Sequence, residues 1–126
     1  AYEIRNCDWS SDVCSSDLLI GDVRDKDTII IDDMIDTAGT LAKAAQALRN
    51  NGARRVFAVA THAVLSGPAI ERIEESVLEK VIVTDTIPLS PAAAACGKLA
   101  VVSVSAMFAE AISSIHSHDS VTRLFR

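Results

Sequence analysis

A chain of 126 residues suits one domain with a single core, and 49% hydrophobic residues exclude a disordered polypeptide. A net charge of −5 with no basic stripe excludes nucleic acid as the expected partner, because nothing is placed to release phosphate counterions. No apolar run reaches membrane-spanning length and no signal peptide opens the sequence, so a cytoplasmic protein without a membrane partner is expected.

Residues 1–18 stand apart from the rest of the chain. From Cys7 to Leu18 the pattern Ser-Ser-Asp-apolar occurs twice, with no helical or alternating period, which predicts irregular structure. A foreign junction explains this tract better than a divergent loop does, so the fold is expected to begin after it. Cys7, Cys14 and Cys96 are an odd set without Cys-x-x-Cys spacing, so free thiols are expected rather than zinc ligands or disulfides. His62, His116 and His118 show no ligand-pair pattern. His116 and His118 read as solvated; His62, following a strand, either faces a site or makes a structural hydrogen bond.

Regular structure begins at residue 19. Leu19-Ile20 opens a short strand, and Gly21 to Asp27 makes a charged turn. Ile29, Ile30 and Ile31 form a β-branched run suited to a strand buried on both faces. Asp32 and Asp33 mark its end, since a strand interior would not accept two adjacent carboxylates without partners. After Asp36-Thr37-Ala38-Gly39-Thr40 comes a helix with Leu41, Ala44, Ala45 and Leu48 on one apolar face. Arg49 suits its last turn and Asn51-Gly52 stops it.

Val56 to Ala60 reads as the next buried strand, and Thr61 to Gly67 as a loop. Pro68 opens a second helix with Ile70, Ile73 and Val77 buried. Val81 to Val83 is a third strand ending at Thr84 and Asp85, and Thr86 to Lys98 is a longer connection with one helical turn. Leu99 to Val104 is a fourth strand. Ser105 then caps a last helix whose apolar face is Phe108, Ala111, Ile112 and Ile115.

Strands alternating with helices predict an α/β fold in three layers, a mostly parallel sheet with helices on both faces. Ligands on such sheets bind beyond the carboxyl ends of the strands. Three polar strand ends are expected to meet there in one cleft: Asp32-Asp33, Thr61-His62 and Thr84-Asp85.

The strand-to-helix turn holds the candidate site. Unpaired N–H groups of a first helical turn, with the positive end of the dipole, suit a phosphate. Gly39 lets the backbone come close, and the Thr37 and Thr40 hydroxyls can donate to phosphate oxygens. Asp32 and Asp33 repel phosphate; they suit sugar hydroxyls, or a Mg²⁺ held by the ligand. A Rossmann dinucleotide site would need Gly-x-Gly-x-x-Gly and a P-loop Gly-x-x-x-x-Gly-Lys-Ser/Thr; neither occurs. An aspartyl-phosphate enzyme would need Asp-x-Asp, and the spacing from Asp33 to Asp36 is too long. A receiver-type domain could use the acids but leaves Thr37 to Thr40 without a role.

Asp32-Asp33-Met34-Ile35-Asp36-Thr37-Ala38-Gly39-Thr40 resembles the phosphoribosyl-diphosphate signature of the type I phosphoribosyltransferase fold. Its form is similar to that of the ribose-phosphate pyrophosphokinases, the phosphoribosyl-diphosphate synthetases. The likeness runs from about Leu19 to Phe125 and takes in Gly21 to Val23, Thr61 to Pro68, Val81 to Pro88 and Ser120 to Phe125. It implies that residues 19–126 are a phosphoribosyltransferase-like domain, the C-terminal half of such an enzyme.

The implied reaction transfers diphosphate from Mg²⁺·ATP to ribose 5-phosphate. On matching positions the resemblance implies that Asp36, Thr37, Ala38, Gly39 and Thr40 hold the 5-phosphate, and that Asp32 and Asp33 hold the ribose hydroxyls. The family's basic catalytic residues have no counterpart, Arg5 being the only basic residue before Arg24, so this chain alone is expected to be catalytically incomplete. Ser120, Thr122 and Phe125 match a segment lining a regulatory site for ADP or phosphate. A homo-oligomer is implied, dimers assembling into a hexamer. A non-catalytic regulatory homologue and a salvage phosphoribosyltransferase are the alternatives, and the segments after the loop speak against the second.

Overall fold

The computed structural model describes residues 21–125. The tract 1–18 and the strand expected at Leu19-Ile20 lie outside the described residues. Four strands and four helices alternate: β1 (Asp27–Ile35), α1 (Gly39–Asn50), β2 (Arg55–Ala63), α2 (Ala69–Glu75), β3 (Lys80–Thr84), α3 (Pro91–Ala95), β4 (Leu99–Val102) and α4 (Ser105–His116). A 3-10 turn, Val121–Phe125, comes after them. All three strand pairs are parallel, in the order β1-β2-β3-β4. The α/β class and the parallel sheet are those predicted.

Register decides which side chains make the core. Ile30 lies beside Ala58, Ala58 beside Val81 and Val81 beside Leu99. That row joins Leu41, Ala45 and Leu48 of α1 and Ala69 and Ile73 of α2 in one cluster. Small side chains on both surfaces, Ala45 and Ala58, let helix and sheet approach closely. Val56, Ile73, Leu78, Val81 and Val83 are fully buried, each contributing about 1.5–3 kcal/mol of apolar transfer. The predicted apolar face of α1, Leu41, Ala44, Ala45 and Leu48, is buried throughout. Gly52 ends this helix region at φ 89, a conformation that favours glycine.

The alternate row behaves otherwise. Ile29 lies beside Phe57, and Ile31 beside Val59, on the face away from α1 and α2. Ile31 is 80% exposed and Ile29 58%, so the isoleucine run is not buried on both faces as expected. A continuous apolar run signals two apolar faces, but not that this chain supplies both covers.

The same correction applies to α4. Phe108, Ile112 and Ile115 are exposed, and the buried residue of this helix is Ser114. Ser105 is the first helical residue rather than the cap; Val104 holds the cap position and its N–H donates to the Asp85 carboxylate at 2.9 Å. Among the described residues no helix is long and apolar enough to cross a membrane.

Candidate functional site

β1 does not stop at its acids. Asp32 pairs with Ala60, and beyond it Met34 pairs with His62 and Ile35 with Ala63. Ile35 and Ala63 are both buried, so an apolar pair anchors the strand past the carboxylates. Asp32 and Asp33 therefore lie within the last part of the strand and not at its exit. β2 likewise continues through Thr61 and His62 to Ala63.

The chain then turns through Asp36, Thr37 and Ala38 into α1. Ala38 adopts the left-handed conformation, φ 57, and its carbonyl accepts the first helical bond from Ala42 N–H at 3.0 Å. A left-handed alanine costs roughly 1–2 kcal/mol, so surrounding contacts must hold it. Gly39 itself is not in the left-handed region. Asp32 to Leu41 together line a cavity of about 330 Å³. All seven predicted binding residues, Asp32, Asp33, Asp36, Thr37, Ala38, Gly39 and Thr40, are brought to that one wall.

The segment between β2 and α2 braces this turn. Leu65 N–H donates to Ile35 O at 2.9 Å and Ser66 N–H to Asp36 O at 3.0 Å. The Ser66 hydroxyl donates to the Asp36 carboxylate. From α2, Arg72 Nη1 donates to Thr37 O at 2.9 Å. Ser66 lies in a segment whose family likeness was legible, but nothing local in the sequence marks Arg72. It sits on the exposed side of a short helix, where a basic residue ordinarily needs no explanation.

Electrostatics divide the acids. Burial pushes the Asp32 carboxyl above its ordinary range, and the neighbouring Asp33 carboxyl adds to the rise; the Asp33 amide, donating to Asp32 Oδ1 at 2.9 Å, opposes it. Among the described residues no cluster of three or more His, Cys, Asp or Glu stands ready for a metal ion. Two neighbouring carboxylates do fit the way Mg²⁺ is commonly held, by one or two acids together with substrate phosphates.

The expected meeting of three strand ends is not found at this cavity, whose wall is formed by the end of β1 and the start of α1. The end of β2, already paired with that of β1, is also tied to the end of β3. Thr84 Oγ1 donates to Thr61 O at 2.7 Å, Thr86 Oγ1 to the same carbonyl at 3.1 Å, and His62 Nδ1 lies 2.9 Å from Thr86 Oγ1. His62 thus makes a structural hydrogen bond. Asp85 turns to the β4–α4 junction, where the Ser103 hydroxyl and then the Val104 amide hold its carboxyl below the ordinary range. Cys96 is a free, buried thiol, and Cys7 and Cys14 lie outside the described residues. His116 and His118 are exposed, as predicted.

Ser120 and Thr122 are not on the wall of the cavity; they flank the first residue of the 3-10 turn, which packs on α4. The Ser120 hydroxyl donates to Thr122 Oγ1 at 2.9 Å and accepts from Thr122 N–H at 3.2 Å. Phe125 is the last residue of that turn.

Known proteins resemble this chain over most of its length. The family described as the phosphoribosyl synthetase-associated domain matches residues 15–126. The ribose-phosphate pyrophosphokinase of Vibrio parahaemolyticus is 57% identical over 107 residues, covering 85% of this chain and 34% of that protein. That of Haemophilus influenzae is 53% identical over the same shares. A crystal structure of phosphoribosylpyrophosphate synthetase from Mycobacterium smegmatis superposes with a TM-score of 0.75 at 41% identity, covering 79% of this chain and 33% of that one. The chain thus spans about a third of the length of these relatives. The expectation of a C-terminal half finds no support in them, the covered share being a third.

Proposed function

We propose, from the premise that the chain belongs to the phosphoribosyl synthetase-associated domain family, that it is the ribose 5-phosphate-binding portion of a ribose-phosphate diphosphokinase. One observation carries this reading: the left-handed Ala38 turns the start of α1 onto the cavity lined by residues 32–41. With the Ala42 N–H already given to Ala38 O, the amides of Gly39, Thr40 and Leu41 precede the first helical bond. These amides, the helix dipole and the Thr37 and Thr40 hydroxyls make an anion site for the 5-phosphate.

Asp32 and Asp33, further back along β1, accept hydrogen bonds from the ribose hydroxyls and orient the sugar. Asp36 acts mainly through its backbone, because its carboxylate, which accepts from Ser66, repels a phosphate. In the proposed reaction the ribose 1-hydroxyl attacks the β-phosphorus of ATP, releasing AMP. Asp32 and Asp33 would be the residues to hold a Mg²⁺ brought by ATP, which would supply charge neutralisation on the diphosphoryl group. What this chain contributes is positioning, which lowers the barrier by fixing the sugar in place beforehand. The 126-residue chain by itself should bind without turning over ribose 5-phosphate and ATP.

A homo-oligomer, hexameric by the same resemblance and cytoplasmic, belongs to this reading. The exposed Phe108, Ile112 and Ile115 supply apolar surface suited to burial between copies. ADP or phosphate would act as an effector at Ser120, Thr122 and Phe125. Titration with ribose 5-phosphate by calorimetry and NMR tests the core of the proposal: amide shifts should centre on residues 36–40. Equal affinity for wild type and Thr40→Val would show that this loop is not the phosphate site.

A further inference from the structure

The candidate phosphate loop is held in part by a side chain from outside its own strand and helix. Arg72 Nη1 donates to Thr37 O at 2.9 Å, at the peptide that leads directly into left-handed Ala38. The two preceding carbonyls, of Ile35 and Asp36, are held by the Leu65 and Ser66 amides. Three successive carbonyls of the turn are therefore fixed from the β2–α2 segment and α2, and Arg72 secures the one next to the strained residue. Without that bond the Thr37-Ala38 peptide is free to rotate toward an unstrained conformation, which would turn the first-turn amides away from the cavity.

Gly39 shows a second mark of the same contact. Its backbone conformation does not demand glycine, since its φ is outside the left-handed region. Space does. A Cβ at position 39 would lie 3.2 Å from Arg72 Nη1 and 3.7 Å from Arg72 Cζ. The guanidinium is the movable partner, at the end of a flexible side chain, so a Cβ there would make it give by a few tenths of an ångström and strain its bond to Thr37 O before the backbone shifted.

We propose that Arg72 is a positioning residue that locks the Thr37-Ala38 turn in its binding conformation, and that position 39 is glycine to admit its guanidinium. The proposal rests on the ribose 5-phosphate reading for its effect on affinity, but its effect on the loop can be read without ligand.

The test uses the full chain with Arg72→Met, Arg72→Lys, Gly39→Ala and the double variant Gly39→Ala/Arg72→Met. Amide hydrogen exchange and NMR shifts of Ala38, Gly39 and Thr40 are recorded without ligand, and ribose 5-phosphate is then titrated in. Arg72→Met should deprotect these amides and weaken ribose 5-phosphate by about tenfold, the effect of one hydrogen bond. Arg72→Lys should restore most of both, because a single donor to a carbonyl suffices. Gly39→Ala should act in the same direction as Arg72→Met but more weakly, and in the double variant it should add little, the signature of two changes acting on one contact.

Additive effects in the double variant, or unchanged loop amides in Arg72→Met, would overturn the proposal. If wild type does not bind ribose 5-phosphate at all, the functional reading fails while the ligand-free amides still decide the role of Arg72.

Discussion

At the start of β1, Asp27 accepts hydrogen bonds from Arg54 Nε at 2.8 Å and Arg54 Nη2 at 2.9 Å, and a further one from Arg55. Arg54 first, then Arg55, hold its carboxyl far below the ordinary range. Near the other end of the same strand, Asp32 has Asp33 for a neighbour, and burial with that second carboxyl raises its value. The acid that serves the fold is neutralised within the fold. The acids that face the cavity are left with like charge beside like charge, an arrangement that costs stability and leaves their acceptor capacity for a ligand. Strand pairing runs through both ends, so the difference arises from burial and from side-chain neighbours rather than from the ladder.

Five substitutions would break or sharpen that contrast. The largest effect on binding is expected from Gly39→Val, whose branched side chain meets Arg72 and crowds the phosphate approach. Ribose 5-phosphate affinity should fall about a hundredfold or more by calorimetry, with thermal stability near wild type. Thr40→Val removes a hydroxyl donor to a charged group and should cost about 1.5–3 kcal/mol, roughly ten- to a hundredfold in affinity. A wild-type titration curve for either variant would erase the distinction between the two ends of β1.

Asp27→Asn should do the opposite, lowering the urea midpoint and leaving ribose 5-phosphate affinity unchanged. The folded carboxyl is depressed, so the stability it contributes is present above the ordinary aspartate value near 3.9 and is lost as pH falls below it. The variant should therefore lack the wild type's loss of stability on that acid limb. For Asp32 the sign reverses. Its raised folded value means that its contribution is present below the ordinary range and is lost as pH rises through the raised value. Asp32→Asn should thus gain stability at neutral pH, by circular-dichroism melting, while binding the sugar less well. If it melts lower than wild type at neutral pH, the like-charge account of this end is wrong.

The smallest change is expected from Asp33→Asn. An acceptor oxygen remains, so sugar affinity should weaken only modestly, and a Mg²⁺ titration of ribose 5-phosphate binding should show a reduced dependence. An unchanged Mg²⁺ dependence would remove Asp33 from the ligand-bound metal's surroundings.

Much of this molecule could be read along the chain, because the relevant physics repeats along the chain. The face of α1 follows from helical spacing of Leu41, Ala44, Ala45 and Leu48, and its end from the backbone freedom of Gly52. The turn from Asp36 to Thr40 was legible for a related reason: small polar residues between a β-branched run and a helical pattern are what a phosphate-binding turn needs. These are properties of neighbours in sequence, and the parallel α/β class follows from their alternation.

Three features were decided only by the assembled fold. Asp32 stayed within β1 because Ile35, three residues further on, found a buried partner in Ala63 across the ladder. The apolar faces of Ile29 and Ile31 and of α4 predicted burial, but periodicity shows which side chains share a face and not whether this chain covers it. Arg72 reached Thr37 from 35 residues away, through the docking of α2 beside α1. Local pattern depends on residues within a few positions of one another, whereas cover, ladder partners and a donor arriving from another helix depend on distances that only packing sets.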